Sequence, residues 1–151
     1  MSIEDIILDH DRRGISKLRP YLPADFCDNA AALILDHPGT AIIVTGFYIL
    51  RAHATETDGP PGAVVIGEAL ASLGYDVVYV TDRFTAPVLR TLLRDGVRLV
   101  EFPITDEASS RSFAEALLEE VDPSVLISIE RCGLNSKGTY LNMRGMDFSD
   151  Y

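Results

Sequence analysis

Glu56 and Asp58 stand two residues apart in a stretch, Thr45–Gly62 (TGFYILRAHATETDGPPG), that also carries Thr57, Gly59 and the pair Pro60-Pro61. In extended backbone, carboxylates at that spacing point the same way. They can accept a proton, bind an ammonium group or hold a divalent cation. Asp-Gly-Pro-Pro-Gly also reads as a helix start, where free N–H groups favour a carboxylate or phosphate. Both prolines lack an N–H, so Gly59 and the backbone from Gly62 onward are the donors. The plainer reading makes Asp58 a helix cap and leaves Glu56 solvated. A second polar stretch, 130–151, opens on Glu130-Arg131. Further on it offers a phenol (Tyr140), an amide (Asn142), a guanidinium (Arg144) and a carboxylate (Asp147). Arg144 could hold a carboxylate through two parallel N–H bonds. The plainer readings are a Glu130–Arg131 ion pair that pins the loop and a solvated Arg144.

Other reactive types are less well placed. His10, His37 and His53 have no ligand spacing. Cys132 has no histidine assured beside it. The phosphate-binding P-loop and the three-glycine dinucleotide fingerprint are both missing, since Gly39-Thr40 precedes an apolar run instead of following one. Asp82-Arg83 reads as a charge pair within a loop. No metal site is assigned. No cofactor is required, although a divalent ion would fit Glu56 and Asp58.

These residues need a frame. The chain has 151 residues, enough for a sizeable core. With 47% hydrophobic and 24% charged residues it has a globular composition. A net charge of −10 excludes general nucleic-acid binding. Two cysteines are too few for a disulfide framework, so free thiols in a reducing compartment are expected. No run approaches the roughly 18 apolar residues of a membrane span. A soluble, cytoplasmic protein without a membrane partner is expected, and an oligomer is compatible with these features.

Hydrophobic periodicity supplies the elements. Ile3 to Leu8 forms a helical turn or two, Arg12-Arg13-Gly14 breaks it, and Leu18 to Pro23 is a connection. Ala24 to His37 is helical. Strands are expected at Thr40–Thr45, Asp76–Thr81, Val97–Phe102 and Ser124–Ile129. Between them fall helices from Pro61 or Gly62 to Gly74, from Thr85 to Asp95 and from Ser109 to Val121. This alternation predicts a parallel sheet with crossover helices, a three-layer α/β sandwich of Rossmann-like type. The Thr45–Gly62 connection is about three times the ordinary strand-to-helix length. Ligands of such sheets bind beyond the carboxyl ends of the strands. That rule gathers both polar stretches on one edge.

Four segments also carry a resemblance. Val44-Thr45-Gly46-Phe47, Glu56-Thr57-Asp58-Gly59-Pro60-Pro61-Gly62-Ala63, Glu130-Arg131 and Gly138-Thr139-Tyr140-Leu141-Asn142-Met143-Arg144-Gly145-Met146-Asp147 resemble the D-glutamate cyclase family, from about Ile6 to the end. Members of that family continue further, through a glycine-rich GDGGNE segment. Residues 1–151 are therefore expected to be a single α/β domain, the N-terminal part of a longer family domain. The resemblance implies a lyase that converts D-glutamate to 5-oxo-D-proline and water, with a small acidic amino acid as partner. Glu56, Asp58 and Glu130 become the catalytic candidates. Thr45, Gly46, Thr57, Gly59, Gly62, Arg131, Tyr140, Asn142, Arg144 and Asp147 become the substrate-binding candidates. The alternative is an α/β module that binds a phosphate- or nucleotide-like ligand without cyclase activity.

Overall fold

The computed structural model describes residues 2–12 and 14–151. It divides into two compact units, Met1–Pro38 and Gly39–Tyr151.

The first unit holds α1 (Ile3–Ile7), a 3-10 helix (Ile15–Tyr21) and α2 (Phe26–Leu35). Ser2 and Asp5 cap α1 reciprocally. Arg13 of the expected chain break lies outside the described residues. The 3-10 helix replaces the connection expected at Leu18–Pro23. Its N-cap Gly14 is left-handed, and Asp11 accepts the N–H groups of Gly14 and Ser16.

Ile3, Ile6 and Ile7 are exposed, and the buried residue of α1 is Glu4. The reason lies at the start of α2, where Asp25 makes no side-chain cap. Glu4 Oε1 accepts the Cys27 N–H at 3.0 Å instead. The positive end of a helix favours a carboxylate there. The Cys27 N–H, as the largest cause, lowers the Glu4 carboxyl from its ordinary 4.5 to about 2. A folded-state value below the unfolded one stabilises above the unfolded value, and that stabilisation fades as pH falls toward the folded one. The first unit is therefore expected to loosen between these two values. In Glu4→Gln this step should vanish, which the exchange of the Cys27 amide proton followed against pH by NMR would read.

The second unit is a parallel sheet of β1 (Thr40–Thr45), β4 (Asp76–Thr81), β5 (Arg98–Glu101) and β6 (Val125–Ile129), in the order β5-β4-β1-β6. Between them run α3 (Gly59–Ser72), α4 (Ala86–Leu92) and α5 (Glu107–Val121). Successive side chains of a strand face opposite sides, so the β-branched runs serve two layers. Ile42, Val78 and Val80 meet Leu117 and Val121 of α5 on one face. On the other, Ile43 and Tyr79 meet α3, which packs against α4. This is the expected three-layer α/β sandwich.

Several element ends moved. α3 begins at Gly59, two or three residues early, because Pro60 and Pro61 fit a first turn that needs no N–H. α5 begins at Glu107, because Asp106 caps it through the Ser109 N–H. The long connection after β1 contains a hairpin, β2 (Tyr48–Ile49) against β3 (Ala54–Thr55). Strands of two residues are too short to show a period.

Candidate active site

The strand order reverses at β1. The chain steps outward through β4 and β5, then returns by α5 to place β6 on the other side of β1. At such a switch the loops beyond the carboxyl ends part and leave a crevice. Thr45 and Ile129 are register partners at this edge.

Thr45 is fully buried, and its Oγ1 has no hydrogen-bond partner among the described residues. Buried hydroxyls are almost always paired, so this orphan at the carboxyl edge is an exception. A Cβ built on Gly59 would lie 2.9 Å from this oxygen and 2.8 Å from Glu130 Cβ. Thr45 Oγ1, the start of α3 and the root of Glu130 therefore meet. Glu130 directly follows β6 with φ 47°. A left-handed residue other than glycine carries about 1 to 3 kcal/mol of strain, and such residues concentrate at functional sites.

Arg131 pairs with Asp82, not with its neighbour Glu130. Its Nη1 donates to Asp82 Oδ2 and, at 3.1 Å, to the Gly46 carbonyl. Asp82 is buried, and its Oδ1 accepts the N–H groups of Phe84 and Thr85, both at 2.9 Å. The charge pair expected between Asp82 and Arg83 does not form. Arg83 lies over the Phe84 ring, 4.7 Å from its centre. Gly46 lets these groups converge. Its φ is +129°, and a Cβ there would come within 2.9 Å of Asp82 Oδ2 and within 2.8 Å of Thr85 Oγ1. Thr81 Oγ1 donates to the Thr45 carbonyl at 2.7 Å, and the Thr55 and Thr85 hydroxyls meet at 2.6 Å. The hairpin is thus tied to the first turn of α4.

The N-terminus of α3 is closed. Asp58 Oδ1 accepts the Gly59 N–H at 3.0 Å. A cap ordinarily reaches the second or third N–H of a helix; here those positions are Pro60 and Pro61, so the carboxylate takes the first. The Gly62 N–H, expected to face a ligand, donates to the Asp58 carbonyl at 3.3 Å, because α3 starts earlier. Asp58→Ala is expected to cost about 1 kcal/mol of stability, read as a lower urea midpoint. Thr57 is exposed in the turn ahead of the cap, and Glu56 is half-buried with its N–H on the Phe47 carbonyl at 2.7 Å. Among the described residues no group of three or more His, Cys, Asp or Glu is placed to hold a metal ion.

The second polar stretch folds back on itself. Leu141 bridges Asp147, Asn142 Oδ1 accepts the N–H groups of Arg144 and Met146, and Asp147 Oδ1 accepts from the N–H and hydroxyl of Ser149. The Ser149 hydroxyl is the main cause that lowers the Asp147 carboxyl below its ordinary value. Asn142 and Asp147 are occupied in holding this turn, and Arg144 is exposed at its tip. Tyr140 is half-buried, 6.4 Å from the ring of Phe148. The stretch still docks on the first loop. Phe148 packs on Phe47 at 5.0 Å, and Tyr151 stacks on Tyr48 at 4.2 Å. Burial raises the Cys132 thiol, which makes it a poor nucleophile at neutral pH.

A broad open cleft lies at the opposite edge, near the amino ends of β4 and β5, lined by Gly67, Tyr79, Arg94 and Arg98 among others. Its arginines are paired, Arg94 with Glu68 at 2.9 Å and Arg98 with Glu120 at 2.7 Å. Among the described residues none of its buried side-chain polar atoms lacks a partner.

Of the candidates named from sequence, Thr45, Gly46, Gly59, Glu130 and Arg131 converge. Asp82 was missed. Its one signal was position, a carboxylate directly after a buried strand.

An α/β sandwich with polar groups gathered at its switch point holds them where open parallel sheets bind their ligands. The chain belongs to the family described as D-glutamate cyclase-like, C-terminal, which its residues 3–151 match. Over 130 residues it is 34% identical to the human protein named D-glutamate cyclase, mitochondrial. That match covers 78% of this chain and 21% of the human protein, so the chain spans about a fifth of the length of the curated relative it matches. Among the described residues no helix is long and apolar enough to cross a membrane.

Proposed function

We propose that this domain carries out a D-glutamate cyclase reaction, closing D-glutamate to 5-oxo-D-proline and releasing water. Family membership supports the reaction class. The observation that carries the reading is the orphaned, buried Thr45 Oγ1 beside the root of Glu130 at the switch point. Substrate arrives with its amine as ammonium, which has no lone pair to attack. Glu130 takes a proton from it. The amine nitrogen then bonds to the side-chain carboxyl carbon, and negative charge gathers on the carboxyl oxygens. The Thr45 hydroxyl, fully buried against Gly59, donates to one of them once the start of α3 has moved away from it. One carbon–oxygen bond breaks, and the two protons lost by nitrogen leave with that oxygen as water. Arg131 faces the other carboxylate. A role for Glu56 or Asp58 as a second acid or base belongs to the same proposal, as do a single domain over residues 1–151 and the cytoplasmic setting. The phosphate-binding alternative depended on open N–H groups at the start of α3, and those are taken.

The test is incubation of the chain with D-glutamate and, separately, L-glutamate, with and without divalent metal, followed by mass spectrometry. Formation of 5-oxo-D-proline from the D-form supports the reading. No product under any condition overturns it.

A further inference from the structure

We propose that Asp82 is the positioning residue of a carboxylate clamp made by Arg131, so that the aim of the guanidinium depends on Asp82. This rests on the cyclase reading only for the identity of the ligand. Both hydrogen bonds of the guanidinium leave from Nη1. Its Nη2 and Nε have no partner among the described residues, and the side chain is 27% exposed against 4% for Asp82. An arginine fork binds a carboxylate through two parallel N–H groups, and the Nη2–Nε edge is such a pair. One edge of Arg131 is thus anchored inside the protein, and the other is unpaired on a partly exposed side chain.

Asp82 is itself held on both carboxylate oxygens. Its Oδ1 takes the Phe84 and Thr85 N–H groups, and the close approach of Gly46 walls its Oδ2. A buried carboxylate beside Arg131 also cancels its charge, which by itself weakens attraction for an anion. The two roles predict opposite signs. If Asp82 only neutralised, removing its charge would tighten carboxylate binding. If it aims the fork, binding must weaken.

The experiment is calorimetric titration of the chain with D-glutamate and with glutarate, which keeps both carboxylates but has no amine and cannot cyclise. Asp82→Asn keeps an Oδ1 acceptor for the turn and sets an amide against Nη1. It is expected to weaken binding by about tenfold to a hundredfold, as loss of a charged hydrogen bond does. Arg131→Ala should lose as much, and the double variant no more than Arg131→Ala. Methylguanidinium should restore glutarate binding to Arg131→Ala but not to the double variant, a result that general loosening would not give. Arg131→Lys keeps the charge without the fork; it should weaken binding similarly, and it decides the matter should Asp82→Asn fail to fold. Unchanged or tighter binding in Asp82→Asn, multiplying losses in the double variant, wild-type binding in Arg131→Lys, or no binding by the wild type overturns the clamp. The expected pattern without any 5-oxoproline would leave the clamp standing and sink the cyclase reading. Turnover that is indifferent to Asp82→Asn would do the reverse.

Discussion

Glu130→Gln is expected to lower turnover of D-glutamate by about a hundredfold or more while the fold survives. The side chain is exposed, so its replacement removes no core contact. Glutamine has the same length and backbone preference, so the left-handed conformation, φ 47°, carries the same strain in both proteins. What disappears is the capacity to take a proton from the ammonium. The loss should therefore fall on kcat, with less change in KM, because the groups assigned to the substrate carboxylate are untouched. Steady-state rates from the appearance of 5-oxoproline give the split, and a urea curve superimposed on that of the wild type shows that stability is intact. Equal turnover in Glu130→Gln would remove Glu130 as the base and move that role to Glu56 or Asp58.

Gly67→Ala is expected to destabilise the second unit by about 3 kcal/mol. Propensity argues the other way, since alanine in a helix interior is favoured over glycine by about 1 kcal/mol. Packing wins because the Tyr79 phenol occupies the space a methyl would need. A Cβ on Gly67 would stand 1.9 Å from Tyr79 Oη, 2.6 Å from its Cζ and 3.1 Å from Ile43 Cδ1. Tyr79 is 2% exposed in the middle of β4, so although its phenol end borders the open cleft, the root of its ring is held by the sheet. Either α3 lifts off the sheet or β4 shifts, and both movements reach the site, because α3 starts at Gly59 beside Thr45. Tyr79→Phe deletes the atom in the worst contact and gives up only a 3.5 Å hydrogen bond to the Val64 carbonyl. The double variant should therefore recover part of the loss. Denaturant unfolding of the four proteins measures this as a coupling energy; additive effects would show that the contact is not the cause.

Local patterns in the chain were enough for the layers of the fold. TAIIVT and DVVYVT are strands because runs this short and β-branched suit a sheet covered on both faces, and β1 and β4 match their expected bounds. Helix starts were less legible where caps or prolines decide them. Asp58-Gly-Pro-Pro shows a helix start, but which residue begins it depends on where the Asp58 carboxylate turns. Thr45 stood out in sequence through the Val44–Phe47 resemblance, but that its hydroxyl is buried without a partner was decided by packing.

The length and acidity of the Thr45–Gly62 loop, the Glu130-Arg131 pair after the last strand and the parallel α/β class were determined by sequence, because each follows from chain-local periodicity and residue type. Tertiary structure alone decided which charges meet. Arg131 reaches across 49 residues to Asp82, Glu4 caps a helix 23 residues on, and β6 lies beside β1 instead of β5. Such pairings are set by the direction of the crossover and by the cost of leaving a buried charge or N–H unpaired. Neither quantity exists until the chain has closed on itself.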